Sequence, residues 1–191
     1  MGRDRDPYDR TMAALRARLA RAGPLQGAAL PINGLAAELG VSPTPVREAL
    51  ARLAGEGLIV RTTAGYAGVV HDPESLAGLY GLAHILTLAH PPNLWPFAPA
   101  GAPGDQLSDV PTGLQALVEA LRRVRGQLAP FAVGEEHVLP GLDVERARLE
   151  TAALDPPRRR ASLVTRFYRR RAGASGRILA ASLGLLGERR I

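Results

Sequence analysis

The sequence predicts a mainly α-helical protein, in which three helices and a β-hairpin precede an all-helical domain. The first observation is that apolar residues recur at spacings of three and four over most of the chain, which is the period of an α-helix. The second is that the period changes between residues 58 and 70, where two β-rich runs flank a short link containing Gly65. We place the predicted domain boundary between residues 71 and 72.

The composition of the 191-residue chain is that of an ordinary globular protein, with 46% hydrophobic and 22% charged residues. Cysteine is absent, which excludes disulfides and thiolate metal sites. The N-terminus is charged, and no apolar run approaches the ~20 residues of a membrane span. We therefore expect a cytoplasmic protein that does not bind a membrane.

The first domain is predicted from apolar stripes and from the residues that end them. Gly23 and Pro24 stop the first helix, Asn33 is a candidate N-cap of the second, and Gly40 ends it. The order of helix, helix, turn, helix and hairpin predicts a winged helix-turn-helix. We predict its helices at residues 8–22, 33–40 and 45–55 and its strands at 58–62 and 66–70.

The third helix begins with two prolines in the stretch SPTPVREAL, residues 42–50. Proline is tolerated in the first turn of a helix, where no N–H is needed. Because Pro45 disfavours a helical conformation at the residue before it, Thr44 is the preferred N-cap and Ser42 the second choice. The helix would direct Thr44, Arg47 and Arg52 outward, and its positive N-terminal end favours a phosphate. Such a helix suits a DNA major groove.

Residues 30–70, LPINGLAAELGVSPTPVREALARLAGEGLIVRTTAGYAGVV, resemble the DNA-binding domain of GntR-family transcription regulators. The resemblance implies that Ser42, Thr44 and Arg47 contact DNA and that Gly65 at the wing tip enters the minor groove. Asn33 and Pro43 stand where many family members have DNA-contacting arginines. The predicted DNA-binding residues are Asn33, Ser42, Pro43, Thr44, Pro45, Arg47, Arg52, Thr62 and Gly65.

The second domain is predicted to be helical over residues 74–90, 112–128, 144–154 and from 161 to the C-terminus, with a break at 173–176. A Pro- and Gly-rich loop covers 91–111. The segment RRRASLVTRFYRRR, residues 158–171, is either a surface helix paired with acids such as Glu145 and Glu150, or a contact for an anionic effector, an acidic protein or DNA.

Residues 163–179, LVTRFYRRRAGASGRIL, resemble part of the FCD effector domain of the FadR-like branch. Many such domains bind a divalent metal through an Asp and a His at the positions of Val164 and Tyr168. The resemblance therefore implies a degenerate or shortened FCD domain, and we expect no metal and no cofactor. The candidate effector-binding residues are Tyr168, Arg166, Arg169 and His84.

These features together predict a transcription regulator that binds double-stranded DNA at an inverted-repeat operator. We expect a homodimeric repressor that a small acidic metabolite controls through the helical domain, residues 72–191. The alternative is a regulator without a small-molecule effector, whose second domain binds a protein partner or only dimerises. An enzyme is not expected, because no nucleophile with a base, phosphate loop or paired metal ligands is visible.

Overall fold

A computed structural model of the chain describes residues 7–97 and 110–186. The chain divides into two compact units, Met1–His71 and Asp72–Ile191. The first contains three helices and a hairpin and the second is helical, which confirms the predicted fold class. None of the helices in the described ranges has the length and apolar character needed to cross a lipid bilayer.

The first unit is a three-helix cluster with a two-stranded antiparallel hairpin. Ile59 pairs with Gly68 at one end of the hairpin and Thr62 with Gly65 at the other. The elements are α1 (Pro7–Ala22), α2 (Ile32–Leu39), α3 (Pro43–Gly55), β1 (Ile59–Thr62) and β2 (Gly65–Gly68).

The core of this unit is formed by the apolar stripes that the sequence pattern indicates. α3 packs on both α1 and α2, and Val46, Leu50 and Leu53 of α3 are almost completely buried. Residues 28–30 lie along the free edge of the hairpin, where Leu30 N donates to the Tyr66 carbonyl oxygen at 2.8 Å. Burial of these side chains is the main source of the unit's stability.

Two predicted helix starts in this unit are wrong. α3 begins at Pro43, with Ser42 as N-cap in an extended conformation, so Thr44 lies inside the helix. Pro45 disfavours a helical Thr44 without forbidding it, and Pro45 itself is tolerated in the first turn because no N–H and no contact with an earlier helical carbonyl oxygen is required there. α2 begins at Ile32 after an extended Pro31, which places Asn33 in the first turn and not at the N-cap.

The second unit contains six α-helices among its described residues. Its apolar core includes Leu76, Leu121, Phe131, Leu149 and Ile178, which come from different parts of the chain. The helices are α4 (Pro73–Ala89), α5 (Thr112–Leu128), α6 (Ala132–Val138), α7 (Leu142–Thr151), α8 (Pro157–Gly173) and α9 (Ser175–Ser182).

The boundaries of the second unit differ from the predicted ones at several points. α8 starts four residues before the predicted 161, because Pro157 occupies its first turn. α7 starts at Leu142 instead of 144, and α6 was not predicted. A break does fall within the predicted 173–176, but it is shorter than predicted, since α8 ends at Gly173 and α9 starts at Ser175. Most of the predicted loop at 91–111, residues 98–109, lies outside the described residues.

Candidate nucleic-acid interface and helical cavity

The outer face of α3 is polar because its apolar stripe is used in the core. Val46 and Leu53 on one side of the helix have no exposed surface. Thr44, Arg47 and Glu48 on the other side are exposed. Within the described ranges, Arg47 makes no hydrogen bond or ion pair, so its guanidinium has all five donors available for a ligand.

The N-terminal turn of α3 is exposed and has few hydrogen-bond donors of its own. Pro43 and Pro45 are in this turn and carry no backbone N–H, which leaves Thr44 to supply one. The Ser42 side chain makes no capping bond, although Ser42 occupies the N-cap position. The hydroxyl groups of Ser42 and Thr44 therefore stand at the positive end of the helix dipole, where an anion is favoured.

Arg52 has a different environment from Arg47. Its Nε donates to Glu56 Oε1 at 2.9 Å, and Arg16 of α1 pairs with the other oxygen of the same carboxylate. The Glu56 side chain is only 6% exposed. This arrangement ties the C-terminal end of α3 to α1, and Arg52 takes part in an intramolecular ion pair at the predicted interface.

The hairpin provides the wing of the domain. Gly65 has a φ of +128°, which only glycine adopts readily, and it forms the tip with the exposed Thr63 and Ala64. Thr62 Oγ1 donates to the Gly65 carbonyl oxygen at 3.4 Å. Arg61, which is not among the predicted DNA-binding residues, is exposed on β1 opposite Tyr66. The sequence feature that could have identified Arg61 as a DNA-contact candidate is that it is the one arginine between residues 58 and 70.

The second unit contains a cavity of about 340 Å³ among its helices. Of the four predicted effector residues, all of which are described, Tyr168 lines this cavity. Arg166 and Arg169 are exposed on α8 and His84 bonds to Thr165 Oγ1 at 3.0 Å, so none of these three lines it. The lining residues are Tyr80, Phe97, Arg125, Leu128, Ala129, Ala132, Glu135, Arg146, Glu150, Phe167, Tyr168 and Arg171.

One wall of the cavity contains a buried charge network around Arg171, which is 1% exposed. Arg171 Nε donates to Glu135 and Nη1 to Glu145, both at 2.8 Å. Tyr80 donates its hydroxyl hydrogen to Glu135 at 2.8 Å. Burial and the neighbouring Glu135 carboxylate raise the pKa of Tyr80. Arg171 Nη2 is buried and has no hydrogen-bond partner among the described residues.

A second cation of the cavity wall, Arg125, has no carboxylate partner among the described residues. Its Nη1 donates to the Pro96 carbonyl oxygen, and its guanidinium lies 4.6 Å from the centre of the Phe97 ring. Close by at the end of α4, burial lowers the pKa of His90, and the charge of Arg125 lowers it further. His90 Nδ1 lies 2.7 Å from the Leu86 carbonyl oxygen.

The arginine-rich segment 158–171 pairs partly with the acids that the sequence suggested. Arg170 and Arg171 both contact Glu145, at 3.7 and 2.8 Å. Glu150 lines the cavity and forms no ion pair in the described part of the chain.

Residues 7–97 and 110–186 contain no cluster of three His, Asp or Glu side chains that would hold a metal ion.

Three helices, of which the third has an exposed polar start, and a two-stranded wing define a winged helix-turn-helix domain. Residues 7–65 match the family model "Bacterial regulatory proteins, gntR family". This segment is therefore a GntR-family helix-turn-helix domain, and the family implies a DNA-binding transcription regulator. The match ends before the helical unit begins. No curated protein sequence matches the chain.

Proposed function

We propose that the chain is a sequence-specific repressor that binds double-stranded DNA as a homodimer at an inverted repeat. The observation that carries the proposal is the unpaired Arg47 on the exposed face of α3, beside the free N-terminal turn of that helix. The N-terminal residues of such a helix reach base edges, and the hydroxyls of Ser42 and Thr44 are suited to flanking phosphates. The wing residues Thr62 and Gly65 would contact the adjacent groove.

Two copies are proposed because one winged helix offers a small contact area for specific binding. A single recognition module buries roughly 600–1,000 Å² of protein surface, and dimers bind more tightly by presenting two modules to a symmetric site. A dimer that covers its operator excludes other proteins from that DNA, which is why we assign repression. Residues 1–71 would bind the DNA, and residues 72–191 would dimerise and respond to an effector.

We assign the effector site to the cavity of the helical unit and its ligand to the small acids. The cavity volume of about 340 Å³ is within the ~300–1,000 Å³ of ligand pockets. Arg125 on its wall is not neutralised by a described carboxylate, so a ligand carboxylate would gain a charge-assisted bond there. Tyr168, whose hydroxyl shares a hydrogen bond with Thr87, also lines the cavity. This unit would be a shortened relative of the FCD domain.

The alternative, a regulator without a small-molecule effector, is favoured by the internal pairing of Arg171. Arg171 is the most buried cation of the cavity, and it already has Glu135 and Glu145 as partners. The same contacts are therefore consistent with a cavity that binds no ligand. In that case residues 72–191 would serve dimerisation or a protein partner.

Thermal unfolding of the full chain with succinate, benzoate and gluconate separates these two functions. A ligand that binds the folded state raises the Tm progressively with its concentration. The Arg125→Gln variant should lose that increase, whereas Arg123→Gln, an exposed change on the same helix, should keep it. If none of these acids raises the Tm, the assignment of the cavity to small acids is contradicted.

The DNA-binding part of the proposal is tested by fluorescence anisotropy with labelled duplexes. We expect binding that falls steeply with salt, because arginine contacts to phosphates release counterions. Absence of binding to any duplex at low salt would contradict the proposal, whatever the effector experiment gives.

A further inference from the structure

One side of α8 carries exposed arginines that no described acid neutralises. Residues 157–182 contain eight arginines and no acid. Among these, Arg158, Arg166 and Arg169 are exposed and make no hydrogen bond or ion pair within residues 7–97 and 110–186. Their separations of eight and three residues place them on one side of the helix. We call this side, made of Arg158, Ser162, Arg166, Arg169 and Gly173, the α8 stripe.

Other exposed arginines of the helical unit are paired with acids. Arg159, which also belongs to α8, pairs with Asp155 at 3.4 Å. On α5, Arg122 and Arg123 both pair with Glu119, at 3.7 and 3.2 Å. A surface that serves only solubility mixes both signs of charge, as this side of α5 does. The α8 stripe differs because it carries one sign alone.

The charges of the α8 stripe lie where they are unfavourable for the helix itself. Arg158 is in the first turn of α8, which contains no acid, and this end of a helix is already positive. Arg166 and Arg169 are three residues apart, so that their like charges are neighbours on the helix surface. An anion bound along the stripe would relieve both conflicts. Local charge choices that work against the element in which they occur are expected at functional surfaces.

The length and composition of the α8 stripe indicate which kind of anion it suits. Arg158 and Arg169 are about 16 Å apart along the helix axis, so a small acid would reach only one end. The stripe has no apolar side chain, whereas protein interfaces have an apolar centre and lipid-binding helices insert an apolar face. The backbone of duplex DNA needs neither, because it presents a phosphate every ~3.4 Å along each strand.

We infer that the α8 stripe contacts the phosphate backbone of double-stranded DNA without reading its sequence. The inference rests on the proposed function, since DNA held by the first unit is present at a high effective concentration for the rest of the same chain. Arginine forms charge-assisted bonds with phosphates, and the exposed Ser162 hydroxyl is a further donor. The stripe therefore adds affinity for any duplex, while α3 selects the sequence.

Fluorescence anisotropy of the full chain with a long labelled duplex of random sequence, over a range of salt concentrations, tests the inference. The double variant Arg166→Gln/Arg169→Gln should weaken binding at low salt by at least about tenfold. Its slope of log affinity against log salt should be shallower by about 1.8, because each phosphate contact contributes ~0.9.

The matched control is Arg122→Gln/Arg123→Gln, which removes the same charge from exposed arginines that Glu119 already partly neutralises. Its slope should stay within about 0.5 of the wild-type value. Equal effects of the two double variants would mean that only the overall charge matters, and would overturn the inference. Helical circular dichroism should be unchanged in both.

A competition experiment separates DNA from an acidic protein as the partner of the α8 stripe. Poly-L-glutamate should displace the random duplex no better from the wild type than from Arg166→Gln/Arg169→Gln. A double variant that loses affinity for poly-L-glutamate and keeps its affinity for the duplex overturns the inference in favour of an acidic protein.

Failure of the inference is distinct from failure of the proposed function. If Arg47→Ala loses sequence preference and Arg166→Gln/Arg169→Gln keeps the wild-type salt slope, the inference is overturned and the proposed regulator stands. If the chain prefers no sequence and the double variant still loses its affinity for random duplex, the α8 stripe is supported and the proposed sequence-specific function is contradicted.

Discussion

Arg47 and Arg52 lie on the same helix, and their surroundings give them different roles. Arg52 is paired with the nearly buried Glu56, whereas Arg47 has no partner among the described residues. Arg47→Ala should weaken operator binding by roughly 1–3 kcal/mol and relax specificity at one base pair, because a contact to a base edge is lost. Competition binding with a set of single-base operator variants measures both effects.

The control for this prediction is Arg52→Ala, which should change operator affinity less than Arg47→Ala does. A uniform loss of affinity with a shallower salt dependence would mean that Arg47 contacts a phosphate instead of a base. Unchanged DNA binding by Arg47→Ala would contradict any role of this side chain at the interface.

Arg171 provides the residue-scale prediction for the helical unit. Arg171→Met should lower the free energy of unfolding by about 3–5 kcal/mol, because Glu135 would be left buried without its cation. Arg166→Met on the exposed face of the same helix should change it by less than about 1 kcal/mol. Urea unfolding followed by circular dichroism compares the two. If Arg171→Met and Arg166→Met have equal free energies of unfolding, the prediction is contradicted, and the buried network around Arg171 contributes no net stability.

At the scale of elements, the sequence predicts those structures whose signal is local. The apolar stripe of Val46, Leu50 and Leu53 defines α3. Two β-rich runs on either side of a short link that contains Gly65 define the hairpin. α3 starts earlier than predicted, because the restriction that Pro45 places on Thr44 is a preference that the helix overrides, and the first turn needs no N–H from Pro43 or Pro45. α6 was not found because its seven residues are too few to display a helical period.

The candidate sites differ in how far the sequence could specify them. The residues of the nucleic-acid interface lie within about thirty positions and follow from a contiguous pattern. The cavity depends on contacts between distant residues, such as Tyr80 with Glu135, 55 positions apart. Helix periodicity says which side of α8 is buried, and it does not say which helix covers that side. Arg166 and Arg169 were proposed as effector residues because they are close to Tyr168 in the sequence, and the structure places both on the exposed side of α8.

The packing of α6 against α9 depends on a glycine. A Cβ atom at Gly134 would collide with Ser182 Oγ and with the Ile178 carbonyl oxygen of α9. Gly134→Ala should therefore destabilise the protein by about 1–3 kcal/mol, the usual cost of overpacking, despite the better helix propensity of alanine. Gly113→Ala in α5, where nothing lies within 4 Å, should not destabilise it. Thermal unfolding of both variants is the measurement, and a more stable Gly134→Ala would contradict the close approach of these two helices.

The end of α4 makes stability depend on pH through His90. Burial holds the pKa of His90 below its ordinary value of 6.5, so below that pH the unfolded chain takes up a proton more readily than the folded chain. The free energy of unfolding should therefore decrease as the pH falls from about 6.5 towards the folded pKa. In His90→Gln this decrease should be smaller. Parallel stability curves for the two proteins between about pH 7.5 and 5.5 would contradict the prediction.

At the scale of the whole molecule, we assign DNA recognition to the GntR-family domain and pairing of two chains to the helical unit. Each unit has its own task in this assignment, and α4 starts two residues after the first unit ends. Variants of α3 should therefore impair DNA binding without changing the dimer.

Selection of bound duplexes from a random DNA library by the full-length protein tests the proposed function most directly. We predict enrichment of an inverted repeat whose half-sites are centred about 10 bp apart or a multiple of that, because two recognition helices of a dimer enter successive major grooves. The same selection with Arg47→Ala should lose preference at one position in each half-site. Enrichment of a single unsymmetric half-site, or of no sequence at all, would contradict a dimeric, sequence-specific regulator.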